Sequence, residues 1–179
     1  MDLSYTLIEE DYLQQQLYYF STNPDAKKMR KKAWLAAIIA FIVIDILLYM
    51  YADTFTVYFF TAVALLCIVA FPFFHKHRLK QTYRKSVRDI YKNNFGKEIH
   101  LSFNENQLEI TGSTGESKIN YTALEKIVEI GSHYFLVFKT GMQLIIPKNE
   151  VNNTAVATEL EKLAVQQKVP FSRELDWKW

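Results

Sequence analysis

The chain has 179 residues, of which 50% are hydrophobic and 15% aromatic, and this composition excludes an intrinsically disordered protein. Its net charge of +2 is an average over unlike regions: residues 27–32 carry five positive charges, and residues 75–92 carry seven positive and one negative. The remainder of the chain is therefore acidic. The single cysteine excludes an intramolecular disulfide.

Residues 1–22 predict a strand followed by a short helix. Leu3, Tyr5 and Leu7 alternate with polar residues, as in a strand with one buried face. The acidic run Glu9–Asp11 then favours a helix start. We expect residues 2–8 to pair as an extra strand with the sheet predicted for residues 97–179, because an unpaired edge is a liability.

Residues 23–96 contain two apolar runs, at about 33–52 and 55–74. Only Asp53 and Thr54 lie between the two runs, and Asp53 is the charged one. Twenty residues of helix span roughly 30 Å, which is the thickness of a bilayer hydrocarbon core. We therefore expect a transmembrane helical hairpin. The alternative is a pair of core helices in a soluble protein, but the chain offers little material to cover both on every face.

One basic cluster precedes the first apolar run, and the other follows the second apolar run. The positive-inside rule then predicts a multi-pass protein of the cell membrane with both termini in the cytoplasm. A nucleic-acid ligand would not explain why both clusters border apolar runs, so we expect anionic lipid head groups instead. The side chains predicted to face them are Lys27, Lys28, Arg30, Lys31, Lys32, Lys76, Arg78, Lys80, Arg84, Lys85 and Arg88.

Asp45 interrupts the first apolar run. A carboxylate there costs about 2.5–3.5 kcal/mol, which the surrounding Leu, Ile, Val and Phe residues offset. Reflection of the hairpin about its turn places Thr61 at a similar depth, so we predict a hydrogen bond between these two side chains. The favoured interpretation is a helix–helix contact, within the hairpin or between protomers. A proton-linked or ion-linked transport site is the alternative.

From residue 97 the hydrophobic period changes to two. Six short strands are predicted in an antiparallel meander, punctuated by turns such as Gly112–Gly115 and ended by Pro147. A final helix follows, capped by Asn153 or Thr154. The fold class is therefore an α+β membrane protein with a cytoplasmic antiparallel sheet of six or seven strands and a C-terminal helix.

Residue patterns for catalysis or metal binding are weak. No nucleophile–base signature accompanies the histidines, and we expect His133, at a predicted turn, to be solvated. His75 and His77 have the spacing of a metal pair but no third ligand nearby in the sequence. We predict no enzymatic activity, cofactor or metal.

Three stretches together resemble the YcxB-like family of bacterial membrane proteins. They are "YTLIEEDYLQQQLYY" near the start, the basic-flanked apolar hairpin, and "INYTALEKIVEIGSHYFLVFKTGMQLIIPKNEV" from Ile119. Tyr121 stands where the family often has Trp. The resemblance implies a cytoplasmic domain similar to bacterial pleckstrin-homology-like (PH-like) domains, and it brings no established activity and no catalytic residue. PH-like folds host several roles, so the fold alone does not select a function.

Together these features predict a membrane-anchored binding or scaffolding module for a protein partner or anionic lipid. Homo-oligomeric assembly through the hairpin and transport through Asp45 are the alternatives.

Overall fold

A computed structural model describes residues 1–112 and 115–179. Along the chain the elements are β1 (Asp2–Thr6), α1 (Glu9–Thr22), α2 (Pro24–Tyr51), α3 (Thr54–Tyr91), β2 (Glu98–Phe103), β3 (Gln107–Gly112), β4 (Gly115–Asn120), β5 (Leu124–Ile130), β6 (His133–Phe138), β7 (Gln143–Pro147), α4 (Asn153–Gln167) and β8 (Phe171–Glu174). The protein is thus α+β, with two long apolar helices and a sheet region that ends in a helix and a short strand. Of the predicted Gly112–Gly115 turn, Ser113 and Thr114 lie outside the described residues.

The chain divides into two compact units. The sheet unit comprises residues 1–16 and 86–179, and the helix unit comprises residues 17–85. The sheet unit contains all eight strands and α4, whereas the helix unit contains α2 and most of α3. Their charges differ in sign: counted from the sequence, the sheet unit is acidic with a net charge of −5 and the helix unit is basic with +7.

The strands of the sheet unit form two four-stranded sheets. The N-terminal sheet has the order β1-β2-β3-β4, and the C-terminal sheet has the order β7-β6-β5-β8. All six predicted strands are present, but the expected single meander is wrong. It is interrupted after β4 by a 3-10 turn at Tyr121–Ala123, which Asn120 caps by accepting a hydrogen bond from the Thr122 amide (3.0 Å). Side-chain capping of this kind competes with strand pairing and ends the first sheet.

The predicted N-terminal strand is confirmed. β1 pairs antiparallel with β2, with Leu3 opposite Leu101 and Tyr5 opposite Ile99. Tyr5 and Leu7 are only 2% and 4% exposed, so this strand contributes to the core as well as covering the edge of β2. A segment that precedes the apolar helices in the sequence therefore completes a sheet formed by residues that follow them.

β8 was not predicted. It pairs parallel with β5, with Ile127 opposite Phe171, and the Ile127 amide donates to the Pro170 carbonyl (2.9 Å). β5 is an interior strand of the C-terminal sheet and consists mostly of buried residues, so its backbone amides and carbonyls need hydrogen-bond partners on both edges. β8 supplies them on the side away from β6.

The final helix α4 begins one residue earlier than predicted. Asn152 caps it by accepting from the Ala155 amide (3.3 Å), so the prediction of Asn153 or Thr154 as the cap is wrong. Asn153 instead accepts a hydrogen bond from the Tyr134 hydroxyl (2.5 Å). The buried face of α4 comprises Val156, Leu160, Leu163 and Ala164.

This cap gives a matched pair of variants. Asn152→Ala is expected to lower the free energy of unfolding by about 1 kcal/mol, because it removes the side-chain acceptor of an N-terminal helix amide. Thr154→Ala is expected to change it far less. Urea denaturation of both variants measures the difference. Equal losses for the two variants would contradict the assignment of Asn152 as the cap.

Candidate functional site

The sheet unit contains a buried hydrogen-bonded set that joins α1 to β6. His133 Nε2 lies 2.9 Å from Asp11 Oδ1, and the Ile8 amide donates to Asp11 Oδ2 (2.7 Å). Ser132 Oγ lies 2.7 Å from His133 Nδ1. The prediction of a solvated His133 is wrong, because residue His133 is only 5% exposed beneath the start of α1.

This set has the composition of a nucleophile, a base and an acid. Both Asp11 oxygens are nevertheless occupied in joining the first turn of α1 to the sheet. An acid at the third helical position that accepts from the capping residue's amide is a helix-start feature. We therefore assign Asp11 and His133 a structural role.

A cluster of ion pairs, with Glu129 buried, Lys148 half-buried, and Arg173 and Glu161 exposed, ties β5 to the C-terminal elements. The Glu129 carboxylate accepts from Lys148 Nζ (2.7 Å) and from Arg173 Nε (3.2 Å), and Arg173 also pairs with Glu161. Lys148 Nζ lies 4.8 Å from the centre of the Tyr134 ring. Burial raises the pKa of the Tyr134 hydroxyl to about 12. Two cations balance two carboxylates here, so the cluster leaves no net charge for a ligand.

The sheet unit also contains a groove that is lined by acidic side chains and by no Lys or Arg of the described residues. It has a volume of about 310 Å³ and lies between the β2–β3 turn, the 3-10 turn after β4, and α4. Its floor consists of Phe103, Tyr121 and Leu163, each of which is at most 8% exposed. Its rim is formed by polar and acidic side chains, namely Asn104, Glu105, Glu159 and Gln166. We call this the acidic groove.

Tyr121 is a buried aromatic residue of the acidic groove. It is 4% exposed. Burial raises the pKa of this hydroxyl to about 12, and the nearby Glu159 carboxylate adds to the rise. The hydroxyl therefore stays protonated at neutral pH and is available as a donor.

Residues 103–164 match the model of the YcxB-like protein family. The resemblance is thus confirmed over this segment, which runs from the end of β2 into α4. No curated protein matches the chain, and no solved structure matches it.

The YcxB-like segment contains most of the acidic groove. Phe103, Tyr121, Glu159 and Leu163 lie within it, and Gln166 follows shortly after its end. His133, Glu129 and Lys148 also lie within it, whereas their partners Asp11 and Arg173 do not. The segment therefore carries most of the groove, but the Asp11–His133 hydrogen bond and the Glu129–Arg173 ion pair depend on residues outside it.

The helix unit carries most of the basic residues predicted from sequence. Most of them are exposed, whereas Arg30, Lys80 and Arg84 are half-buried. The Arg30 guanidinium lies 5.0 Å from the centre of the Phe20 ring, and that ring lies 5.1 Å from the Tyr83 ring. In the sheet unit, Arg88 forms an ion pair with Glu9 (2.7 Å).

The two apolar helices are each long and apolar enough to cross a membrane. Asp45 on α2 and Thr61 on α3 are both half-buried, and their hydrogen bond stays a prediction. Asp53, in the link between the helices, caps α3 by accepting from the Thr56 amide (3.0 Å) and hydroxyl (2.6 Å). These hydrogen bonds hold the pKa of the Asp53 carboxyl below its usual value.

Among the described residues, no group of three His, Cys, Asp or Glu side chains is placed to hold a metal ion. His75 and His77 both lie in α3.

Proposed function

We propose that the protein is a membrane-anchored binding module. α2 and α3 form a transmembrane hairpin, and the sheet unit is a PH-like cytoplasmic domain that binds a protein partner. The observation that carries this proposal is the exposure of the two apolar helices: 0% of the most apolar window of α2 and 6% of that of α3 are buried by the rest of the chain.

Core helices of a soluble protein would be covered by other parts of the chain. Large apolar side chains on α2 and α3 are instead exposed, for example Leu47 at 52%, Leu66 at 71% and Phe73 at 74%. Continuous exposed apolar surface of this kind is a sign of a membrane or protein interface. A lipid bilayer is the environment that would cover all sides of both helices.

The positive charge of the helix unit supports a contact with anionic lipid head groups, whereas the negative charge of the sheet unit supports a different ligand. Anionic head groups attract basic residues near the bilayer by about 1 kcal/mol each, and this attraction fades within a Debye length of about 10 Å. Lys76 and Lys80 follow Phe74 by about 3 Å and 9 Å of helix rise, whereas Lys85 follows it by about 16 Å. The first two are therefore the better placed to contact head groups.

The acidic sheet unit suits a protein partner better than an anionic lipid. Its net charge of −5 would repel anionic head groups. Its two four-stranded sheets and helix α4 support a PH-like interpretation, which agrees with the family resemblance over residues 103–164. PH-like domains host several kinds of ligand, so the choice of a protein partner rests on charge rather than on fold.

Alkaline carbonate washing of membranes that contain the full chain tests the anchor. We expect the protein to stay with the lipid pellet, and release into the supernatant would contradict the anchor. The double variant Ile42→Lys and Leu66→Lys should be released, because each Lys at a span centre costs about 3 kcal/mol of insertion. Gln81→Lys with Gln166→Lys adds the same charge outside the spans and should behave as the wild type.

Chemical cross-linking in native membranes tests the binding role. The proposal predicts an adduct that contains the 21.0-kDa chain and a second, different protein. Adducts that contain this chain alone would contradict a hetero-partner and favour homo-oligomeric assembly through the hairpin.

A further inference from the structure

We propose that the edge of β5 is a binding site for an extended segment of the protein partner, which takes the place of β8. This inference rests on the proposed binding function and names where the partner binds and which residues it presents. In the structure the chain's own β8 lies at this edge, parallel to β5. Addition of a strand to a sheet edge gives affinity through main-chain hydrogen bonds and specificity through alternate side chains.

β8 is weakly held for a strand that covers such an edge. It has only four residues and none of them is buried, whereas the four β5 residues that it faces, 127–130, are all buried. Ordering a strand costs conformational entropy at every residue, and a few ladder hydrogen bonds with little burial offset only part of that cost. Release of β8 gives up little buried surface of its own, and it opens the β5 edge to another chain.

β8 also fills its position incompletely. A groove of about 390 Å³ remains between β8 and the last turns of α4, and its apolar lining comprises Ala164, Val165, Val169 and Phe171. Val165 is 78% exposed there. A segment with larger apolar side chains at the positions of Val169 and Phe171 would cover this surface, and burial of apolar surface drives most protein association.

The site accepts a cation at one defined position. Arg173 lies opposite the buried Glu129 in the β5–β8 register, and its Nε donates to the Glu129 carboxylate (3.2 Å). The Arg173 guanidinium also lies 5.3 Å from the centre of the Phe171 ring and pairs with Glu161. When β8 leaves, Glu129 keeps only its contact with Lys148 among these cations. An incoming segment should therefore present an Arg two residues after an aromatic or large apolar residue.

The test uses the full chain in non-ionic micelles and a fluorescein-labelled peptide with the sequence of residues 169–179. This peptide contains two positive and two negative side chains, so net charge does not attract it to the protein. Fluorescence anisotropy measures its apparent dissociation constant. The wild type should bind it weakly, because β8 of the chain competes for the same edge.

One substitution is expected to act in opposite directions in the two molecules. Arg173→Ala in the chain should strengthen peptide binding about tenfold, because it weakens the competing β8 and raises the fraction of open edges. Arg173→Ala in the peptide should weaken binding about tenfold, because it removes the charged donor to the Glu129 carboxylate. Lys178→Ala removes the same charge outside β8 and should change binding less than about twofold in either molecule.

A second variant releases β8 without touching Arg173. A Cβ at Gly131 would lie 3.1 Å from the carbonyl oxygen of Leu175, in the segment that follows β8. Gly131→Ala therefore presses on this segment and should also strengthen peptide binding. Thermal unfolding of each variant is measured alongside, and Gly131→Ala decides the test if Arg173→Ala does not fold.

Hydrogen exchange measures the release of β8 directly. The Ile127 amide donates to the Pro170 carbonyl at the start of β8 (2.9 Å), and its exchange should become about tenfold faster in Arg173→Ala. The Phe138 amide, which donates to the Met142 carbonyl (2.9 Å) away from β8, should exchange as in the wild type.

A folded release variant that does not bind the peptide, or weaker binding when Arg173→Ala is made in either molecule, would overturn the site. A wild-type dimer in light scattering that the peptide dissociates would assign the edge to a second copy of the chain and overturn the partner stated above. The proposed function has its own readout. If a hetero-partner cross-links in membranes while the peptide does not bind, this inference fails and the binding module stands. If the peptide binds but no hetero-partner is found and the chain leaves the membrane in carbonate, the proposed function fails instead.

Discussion

Deletion of residues 1–8 is expected to unfold the sheet unit or lower its free energy of unfolding by about 5 kcal/mol or more. The deletion removes β1, which pairs with β2 over five positions. It also removes the buried side chains of Tyr5 and Leu7. Loss of a large buried side chain costs about 2–5 kcal/mol, and a domain has only about 5–15 kcal/mol in total.

The backbone adds to this loss. The Gly96 amide donates to the Leu7 carbonyl (2.9 Å), and the Phe103 amide donates to the Met1 carbonyl (2.8 Å). Without β1, the edge of β2 would also be exposed to pairing with other chains. Urea denaturation and limited proteolysis of the full chain and the deletion variant measure the effect.

Ser4→Ala is the matched control for the deletion. Ser4 lies in β1, but its hydroxyl makes only an exposed contact with His100 Nδ1 (2.7 Å). We expect this variant to stay within about 0.5 kcal/mol of the wild type. A fragment of residues 97–179 that is as stable as the full chain would contradict the structural role of β1.

Asp11→Ala is expected to destabilise the sheet unit by about 3 kcal/mol, because it leaves the buried His133 Nε2 without its hydrogen-bond partner. The side chains of the pair are only 11% and 6% exposed, so water compensates poorly for the loss. The variant also removes the acceptor of the Ile8 amide at the start of α1. α1 should therefore become more accessible to proteases.

The energy of the pair itself is measured by a double-mutant cycle. His133→Ala should cost a similar amount, and the double variant should cost less than the two single losses added together. Asp176→Ala, at an exposed carboxylate of the same unit, controls for the change in net charge and should have little effect. Strictly additive losses would show that Asp11 and His133 stabilise the fold independently, contrary to the structure.

The local patterns of the sequence predicted most of the secondary structure. Alternating apolar residues located all six strands between residues 97 and 147, and the same signal located β1. The run Asn23-Pro24-Asp25 indicates a helix start, and Asn23 does cap α2 by accepting hydrogen bonds from the Asp25 and Ala26 amides. Period and capping are local properties, which is why one sequence suffices to find them.

The features that sequence analysis missed depend on residues far apart in the chain. Asp11 and His133 are separated by 122 positions, so neither the buried pair nor the burial of His133 is visible from the neighbouring residues. β8 has only four residues and pairs parallel with β5, so it gives almost no periodic signal.

The acidic groove was missed for the same reason. It combines the β2–β3 turn, Tyr121 and one face of α4, which are far apart in the sequence. In the sequence, Tyr121 stands out only as part of the family pattern. A glutamate such as Glu159 in an amphipathic helix looks like an ordinary solvent-facing residue until the sheet beside it is known.

Cysteine accessibility in intact cells tests the central claim, a membrane hairpin with a cytoplasmic sheet unit. Cys67 is first replaced by Ser, and a single cysteine is then introduced as Thr54→Cys at the link between the helices or as Glu116→Cys in β4. A membrane-impermeant maleimide should label position 54 in intact cells and label position 116 only after the cells are opened. Labelling of both positions in intact cells, or of neither until the cells are opened, would contradict the proposed hairpin.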